Sequence, residues 1–242
     1  MSVNASFTKE NLNTYLKELG KEFRKLNGIS IPAEIILIGG AAILAQYDFR
    51  EMTYDIDAVI LASSAMKEAV NRVGDKFQLP NGWLNMDFKK TKSYSDKLSE
   101  VSIYYKTFSN ILTIRTIAAE YLIAMKLMSG RQYKNDLSDI AGILWENQKS
   151  GKPISKEAID KAVCFLYGGW EEIKEETKAV LNAAFEGGNF ETLYYQSRES
   201  EKHSKEILLD FDKDYPNALK EENISSILEK ARRRRQQDRG ER

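Results

Sequence analysis

The feature that most constrains this chain is a pair of short motifs, each set against an apolar run. Glu34-Ile-Ile-Leu-Ile38 leads directly into Gly39-Gly40, and Tyr54-Asp-Ile-Asp57 opens onto Ala58-Val-Ile-Leu61. A continuous apolar run bounded by Pro32 and two glycines is the pattern of a buried strand. Glycines after a strand let a ligand approach the backbone, and the free N–H groups where a helix begins favour an anion. Side chains alternate along a strand, so Asp55 and Asp57 share one face while Ile56 takes the other. Two ionised carboxylates about 7 Å apart repel each other, and a divalent cation relieves that repulsion. Oxygen ligands suit Mg2+ or Mn2+, and magnesium commonly combines one or two carboxylates with substrate phosphates. Consecutive elements are usually neighbours, so a triphosphate held at Gly39 and Gly40 would present its oxygens near Asp55 and Asp57.

The pattern along the chain predicts an α+β front half and an all-helical rear half. Residues 8–26 form an amphipathic helix that Thr8 can cap, with Leu12, Tyr15, Leu16, Leu19, Phe23 and Leu26 at helical spacing. A short helix follows the glycines over 41–46, a strand covers 54–61, and Ser63 or Ser64 caps a helix over 65–78. Residues 80–98, with Pro80, Gly82 and a Lys/Ser-rich stretch, read as an exposed loop. Strands are expected at 101–107 and 111–116 with Ser109-Asn110 as the turn. Helices then cover 118–128, a segment to Gln148 that Asn135 or Asp136 can cap, one through Tyr167 that Ser155 caps, and 170–186, and helical, highly charged segments fill the last 40 residues. The expected units are 1–117, 118–231 and a basic, flexible tail at 232–242. A solvated chain end accounts for the four consecutive arginines from Arg232 to Arg235, with binding to RNA or DNA the alternative reading.

Composition excludes several chemistries. Thirty-six basic and thirty-six acidic side chains cancel, so nucleic-acid binding requires a local patch rather than a global field. One cysteine and one histidine leave little for a Cys/His zinc site or a Ser-His-Asp triad. Cys164, in Ala-Val-Cys-Phe-Leu, reads as a buried, inert thiol. The N-terminus has no basic region followed by an apolar core, and no apolar run nears the roughly twenty residues of a membrane span. A cytoplasmic location is expected.

With these residues in place, Ile38-Gly39-Gly40 through Thr53-Tyr54-Asp55-Ile56-Asp57 resembles the DNA polymerase β-like nucleotidyltransferases, and more narrowly their DUF6036 and AbiEii-type branch. Leu79-Pro-Asn-Gly-Trp-Leu-Asn85, Ala119-Glu-Tyr-Leu-Ile-Ala-Met-Lys-Leu127, and Arg131 with Asp136-Leu-Ser-Asp139-Ile140 are similar to further segments of that branch. The resemblance spans about residues 33–145. It implies a small mixed sheet with flanking helices, followed by an all-helical C-terminal region. It also implies nucleotidyl transfer from a nucleoside triphosphate to an RNA or protein acceptor, with some members acting as toxins in toxin–antitoxin or phage-defence systems and hence having an antitoxin partner. Asp55 and Asp57 would be metal ligands, and Gly39 and Gly40 would contact phosphates. Lys126 and Asp136 would line the nucleotide site from the helical half, Lys126 as a charge partner for phosphate, with Arg131 a further candidate. Members active by the two-metal route carry a third carboxylate on a later strand. The strands expected at 101–107 and 111–116 contain no Asp or Glu, and the interval from the glycines to Asp55 is longer than usual. Asp87 and Glu100 are the nearest alternatives. Either Asp136 or another group supplies that role, or turnover is altered and the fold is a nucleotide-binding or partner-docking module.

Overall fold

The structure, a computed structural model, describes residues 6–220 and 222–240; of Arg232 and residues 234–240 it describes the backbone alone. The fold is α+β, with a five-stranded mixed sheet flanked by helices and a predominantly helical C-terminal part. Helix α1 (Lys9–Asn27) starts in a capping box, in which Thr8 accepts from the Asn11 amide and the Asn11 side chain accepts from the Thr8 amide. Strands β1 (Ala33–Leu37), β2 (Ile56–Leu61), β3 (Leu84–Asn85), β4 (Ser102–Phe108) and β5 (Leu112–Ile117) lie in the order β3-β2-β1-β5-β4. The central β1 runs antiparallel to β2 and parallel to β5.

That topology places the two motifs together. Because β2 is antiparallel to β1, its start lies beside the end of β1, in register Leu37↔Ala58. One residue further, the Ile38 amide donates to the Asp57 carbonyl at 3.0 Å, tying the glycine turn to β2. The turn between β4 and β5 falls at Ser109 and Asn110 as expected, both with positive φ. Such a pair matches the twist of a two-residue hairpin.

Three local expectations change. Residues 80–98 are not a wholly exposed loop, since Trp83, Leu84, Ser93, Ser95 and Leu98 are buried and β3 pairs in parallel with β2. A two-residue strand is too short to show any period. Ser64 makes no side-chain cap for α3 (Ala65–Phe77), and the Ser63 hydroxyl instead donates to the Asn27 side chain. Cys164 is exposed, because Ile159, Ala162, Val163 and Leu166 occupy the inward face of its helix.

The rear half comprises α4 (Ala119–Ser129), α5 (Asp136–Lys149), α6 (Lys156–Tyr167), α7 (Glu175–Gly187), α8 (Phe190–Asp214) and α9 (Ile224–Gly240), following α2 (Gly39–Gln46) and α3 of the front half. Its buried residues join the same apolar core as the sheet, from Phe7 through Ile123 to Phe190. Leu208 of α8 and Leu228 of α9 are buried, whereas Ile207, Phe211, Ile224 and Ile227 are half-buried and Leu209 is exposed. The arginine run falls on α9; the flexibility expected of 232–242 concerns side chains, and two residues, outside those described. Among the described residues no helix is long and apolar enough to cross a membrane.

Candidate active site

Gly39 and Gly40 are required for different reasons. Gly39 has φ +54°, the left-handed region, with open space where a Cβ would sit. At Gly40 the limit is space, since a Cβ would lie 2.6 Å from Thr53 Oγ1 and 3.0 Å from Arg50 Nη2. Both glycines begin α2, whose N-cap Ile38 offers no side-chain bond, so the first amides are left for solvent or a ligand.

Asp55 and Asp57 line the same cleft as the glycines, a space of about 140 Å³. Asp55 lies just before β2 and accepts from Thr53 Oγ1 at 3.2 Å. Asp57 lies within β2, and burial, then the charge of Asp55, push its carboxyl up to about 6, with Asp87 adding and Arg131 opposing. Among the described residues no three His, Cys, Asp or Glu side chains form a group able to hold a metal. Asp55 and Asp57 would be the protein's donors to a cation that brings its own oxygen ligands. Magnesium with one or two carboxylates and substrate phosphates is that case, and a cation here would relieve the repulsion that raises Asp57.

The other wall of the cleft is a buried charge network. Lys126 Nζ contacts Asp136 Oδ1 at 2.8 Å and Asp139 Oδ2 at 2.7 Å. Arg131 reaches Asp136 Oδ2 through Nε at 2.9 Å and through its backbone amide at 3.1 Å. Arg50, from the segment between the two motifs, donates to Asp139 Oδ1 at 2.6 Å. Burial alone would raise Asp136, but Lys126 and Arg131 hold its carboxyl far below the usual carboxylate range. Burial would likewise lower Lys126, yet Asp136 and Asp139 hold its ammonium above the ordinary lysine value. Three cations face two anions, leaving one net positive charge against the cleft.

The structure thus brings all seven expected residues, Gly39, Gly40, Asp55, Asp57, Lys126, Arg131 and Asp136, to one cleft. Their contacts differ. Asp136 has both oxygens occupied by cations, which makes it a poor proton acceptor and a poor third metal ligand. Lys126 contacts two aspartates, whereas the Arg131 side chain is about a third exposed. Lys134 also lines the cleft. The first turn of α5 is not capped by its own residues: Asn135 makes no side-chain cap, and Glu201 of α8 accepts from the Leu137 and Ser138 amides at 2.8 and 3.2 Å. For the third carboxylate, Asp57 pairs with Asn85 across β2–β3, and Asp87 two residues later is close enough to raise Asp57. Glu100 is exposed, at the end of the 3-10 turn Asp96–Ser99.

Arg50 escaped the sequence reading. Nothing in its neighbours marks it, and the only signal was its place between the glycines and the aspartates.

Residues 14–164 match the family described as nucleotidyltransferase of unknown function, DUF6036. No curated protein and no solved structure matches the chain. The family match takes in the glycine turn, both aspartates and the network with Arg50, Lys126, Arg131, Asp136 and Asp139, and it ends in α6, before α8. The chain belongs to the DUF6036 family of nucleotidyltransferases.

Proposed function

We propose that this chain uses Mg2+ or Mn2+ to transfer a nucleotidyl group from a nucleoside triphosphate to a hydroxyl of an RNA or protein acceptor. The observation that carries the reading is one cleft with two carboxylates on one lip, glycine amides at the start of a helix, and a net positive network opposite. In the transfer an acceptor hydroxyl oxygen bonds to the α-phosphorus, the bond to the β-phosphate oxygen breaks, and pyrophosphate leaves. Asp55 and Asp57 would hold the cation, which supplies charge neutralisation at the phosphates. The Gly39 and Gly40 amides bind phosphate oxygens, and Arg131 and Lys134 offset the remaining charge. Asp87, exposed and ion-paired with Lys90, would take the hydroxyl proton.

A toxin role in a toxin–antitoxin or phage-defence pair, within the cytoplasm and with an antitoxin as partner, belongs to the same proposal. The second reading, a nucleotide-binding protein that has lost turnover, draws on the lack of a three-ligand metal group among the described residues. Incubation with each α-labelled triphosphate, Mg2+ and bulk tRNA or lysate separates the two. Transfer of label that vanishes in Asp57→Ala supports the enzyme. Triphosphate binding without transfer supports the binding module, and neither binding nor transfer overturns both. Growth arrest on expression that Asp57→Ala abolishes supports the toxin role; arrest that persists removes it.

A further inference from the structure

The cleft of about 140 Å³ is too small for a whole nucleoside triphosphate, but it adjoins a larger pocket of about 570 Å³. Arg50 and Asn135 border both spaces, and Tyr54, in the larger, immediately precedes Asp55, in the smaller. The larger volume falls in the range of sites for nucleotide-sized ligands, about 300–1,000 Å³.

Its walls have a specific chemistry. Tyr54 and Tyr195 are each 56% exposed, although most large aromatic rings of this chain are packed away. Tyr195 is held edge-on against Tyr194 and tilted against Trp145, so it is a braced ring rather than a loose one. Lys205 lies 5.8 Å from the Tyr54 ring centroid, and among the described residues neither Lys202 nor Lys205 makes an ion pair. Glu201 on the same wall is 3% exposed, and its Oε2 is the buried side-chain polar atom without a partner among the described residues. Such an atom is costly to leave unpaired, which calls for an explanation that a polar ligand supplies. Burial, with a contribution from Asp139, pushes the Glu201 carboxyl up to about 8, so near neutrality Oε2 carries a proton to donate.

We infer that this pocket binds a nucleoside, its base stacked on Tyr195 or Tyr54 and its edge met by Glu201, beside the phosphate cleft. Exposed rings interleaved with free ammonium groups are the pattern for sequence-tolerant stacking of bases and pairing with phosphates. Tyr195, Glu201, Lys202 and Lys205 all lie on α8, outside the residues matched to the family. The inference rests on the phosphate-cleft reading for its geometry but makes a separate demand. The nucleoside comes either from the donor triphosphate or from the acceptor's terminal residue.

The test titrates the full chain, with Mg2+, using inorganic tripolyphosphate, each of the four nucleoside triphosphates, the dinucleotide CpA, and adenosine. Tyr195 is exposed, so Tyr195→Ala leaves melting unchanged while weakening nucleoside-bearing ligands by about tenfold, as loss of one stacking contact does, and sparing tripolyphosphate. Weakening of the triphosphates assigns the pocket to the donor; weakening confined to CpA assigns it to the acceptor. Glu201→Gln keeps Oε1 and replaces Oε2 with a nitrogen, and it shifts the rank order of the four bases; an unchanged order removes Glu201 from base reading. If tripolyphosphate binds as tightly as every triphosphate, and no ligand senses Tyr195, the inference is overturned, leaving the pocket to a peptide acceptor. If adenosine senses Tyr195 but no polyphosphate binds or senses Asp57→Asn, the cleft reading fails alone.

Discussion

Glu201→Gln isolates one buried ionisable group in the joint between α5 and α8. Oε1 of Glu201 accepts from the Leu137 and Ser138 amides at 2.8 and 3.2 Å, and an amide oxygen can accept both bonds in the same place. What glutamine removes is the titration. Burial, reinforced by Asp139 and opposed by the bonds from Ser138 and Leu137, pushes the folded carboxyl up to about 8 from 4.5. Below pH 4.5 folded and unfolded chains both carry the proton, and the contribution to stability is complete. Between 4.5 and about 8 only the folded chain keeps the proton, so stability falls as pH rises; above about 8 that loss is complete. Each unit of separation is worth about 1.4 kcal/mol. At pH 7 the wild type is therefore destabilised by about 3 kcal/mol relative to a residue that does not titrate. Urea melts of both proteins across pH 4.5–8 read this directly. The curves meet at the acid end and diverge upward in pH, with the variant more stable at pH 7 by about 2–3 kcal/mol, or roughly 4–12 °C in Tm. A constant offset across the range, or a variant less stable at pH 8, would refute the assignment of Glu201 as a protonated buried group.

Asp57→Asn removes a carboxylate crowded by Asp55, so it abolishes Mg2+-dependent triphosphate binding while calorimetry finds Tm unchanged or raised; a fall above about 2 kcal/mol contradicts a site built for a cation rather than for stability. Lys126→Met leaves Asp136 and Asp139 underpaired in a buried setting and costs about 3–5 kcal/mol by urea melt; wild-type stability would show that the network carries no structural load. Gly40→Ala forces a Cβ against Thr53 Oγ1, costing about 1–3 kcal/mol, and weakens tripolyphosphate binding measured by calorimetry. Cys164 is exposed and is alkylated by iodoacetamide in the native protein with no change in melting, one adduct appearing by mass spectrometry; protection until unfolding would place it inside.

The parts of the site legible in the sequence were those whose cause is local. Strand alternation points Asp55 and Asp57 to one side, and they do line one cleft although Asp55 lies just before β2; a positive φ or a tight approach marks glycine at 39 and 40 without knowledge of the partner. The same holds for Thr8, Ser155 and the Ser109-Asn110 turn, where cap and turn chemistry act within four residues. Long-range causes were not legible. Asn135 and Asp136 look like a self-capping helix start, yet the cap comes from Glu201, 64 residues beyond Leu137. Asp136 instead neutralises Lys126 and Arg131. Strand β3 went unseen because only two residues pair, and Cys164 was misplaced because composition ranks residue types and not helix faces.

The cleft is built from both halves of the chain. Its acidic lip belongs to the sheet, but its basic wall exists only where Arg50 of the front half meets Asp139 of α5, 89 residues away. Asp139 in turn shares Lys126 with Asp136, and Asp136 holds Arg131 at the cleft. The wall is thus one electrostatic unit spanning both halves, and the α5 start that carries it is fixed from α8 by Glu201. A phosphate bound against that wall draws on its net positive charge, so its binding energy depends on α5 being docked. Ligand that binds only the docked state stabilises it by mass action. On the proposed function, triphosphate binding and the α5–α8 joint are therefore thermodynamically linked: loosening the joint would weaken the nucleotide by the same factor by which the nucleotide tightens the joint.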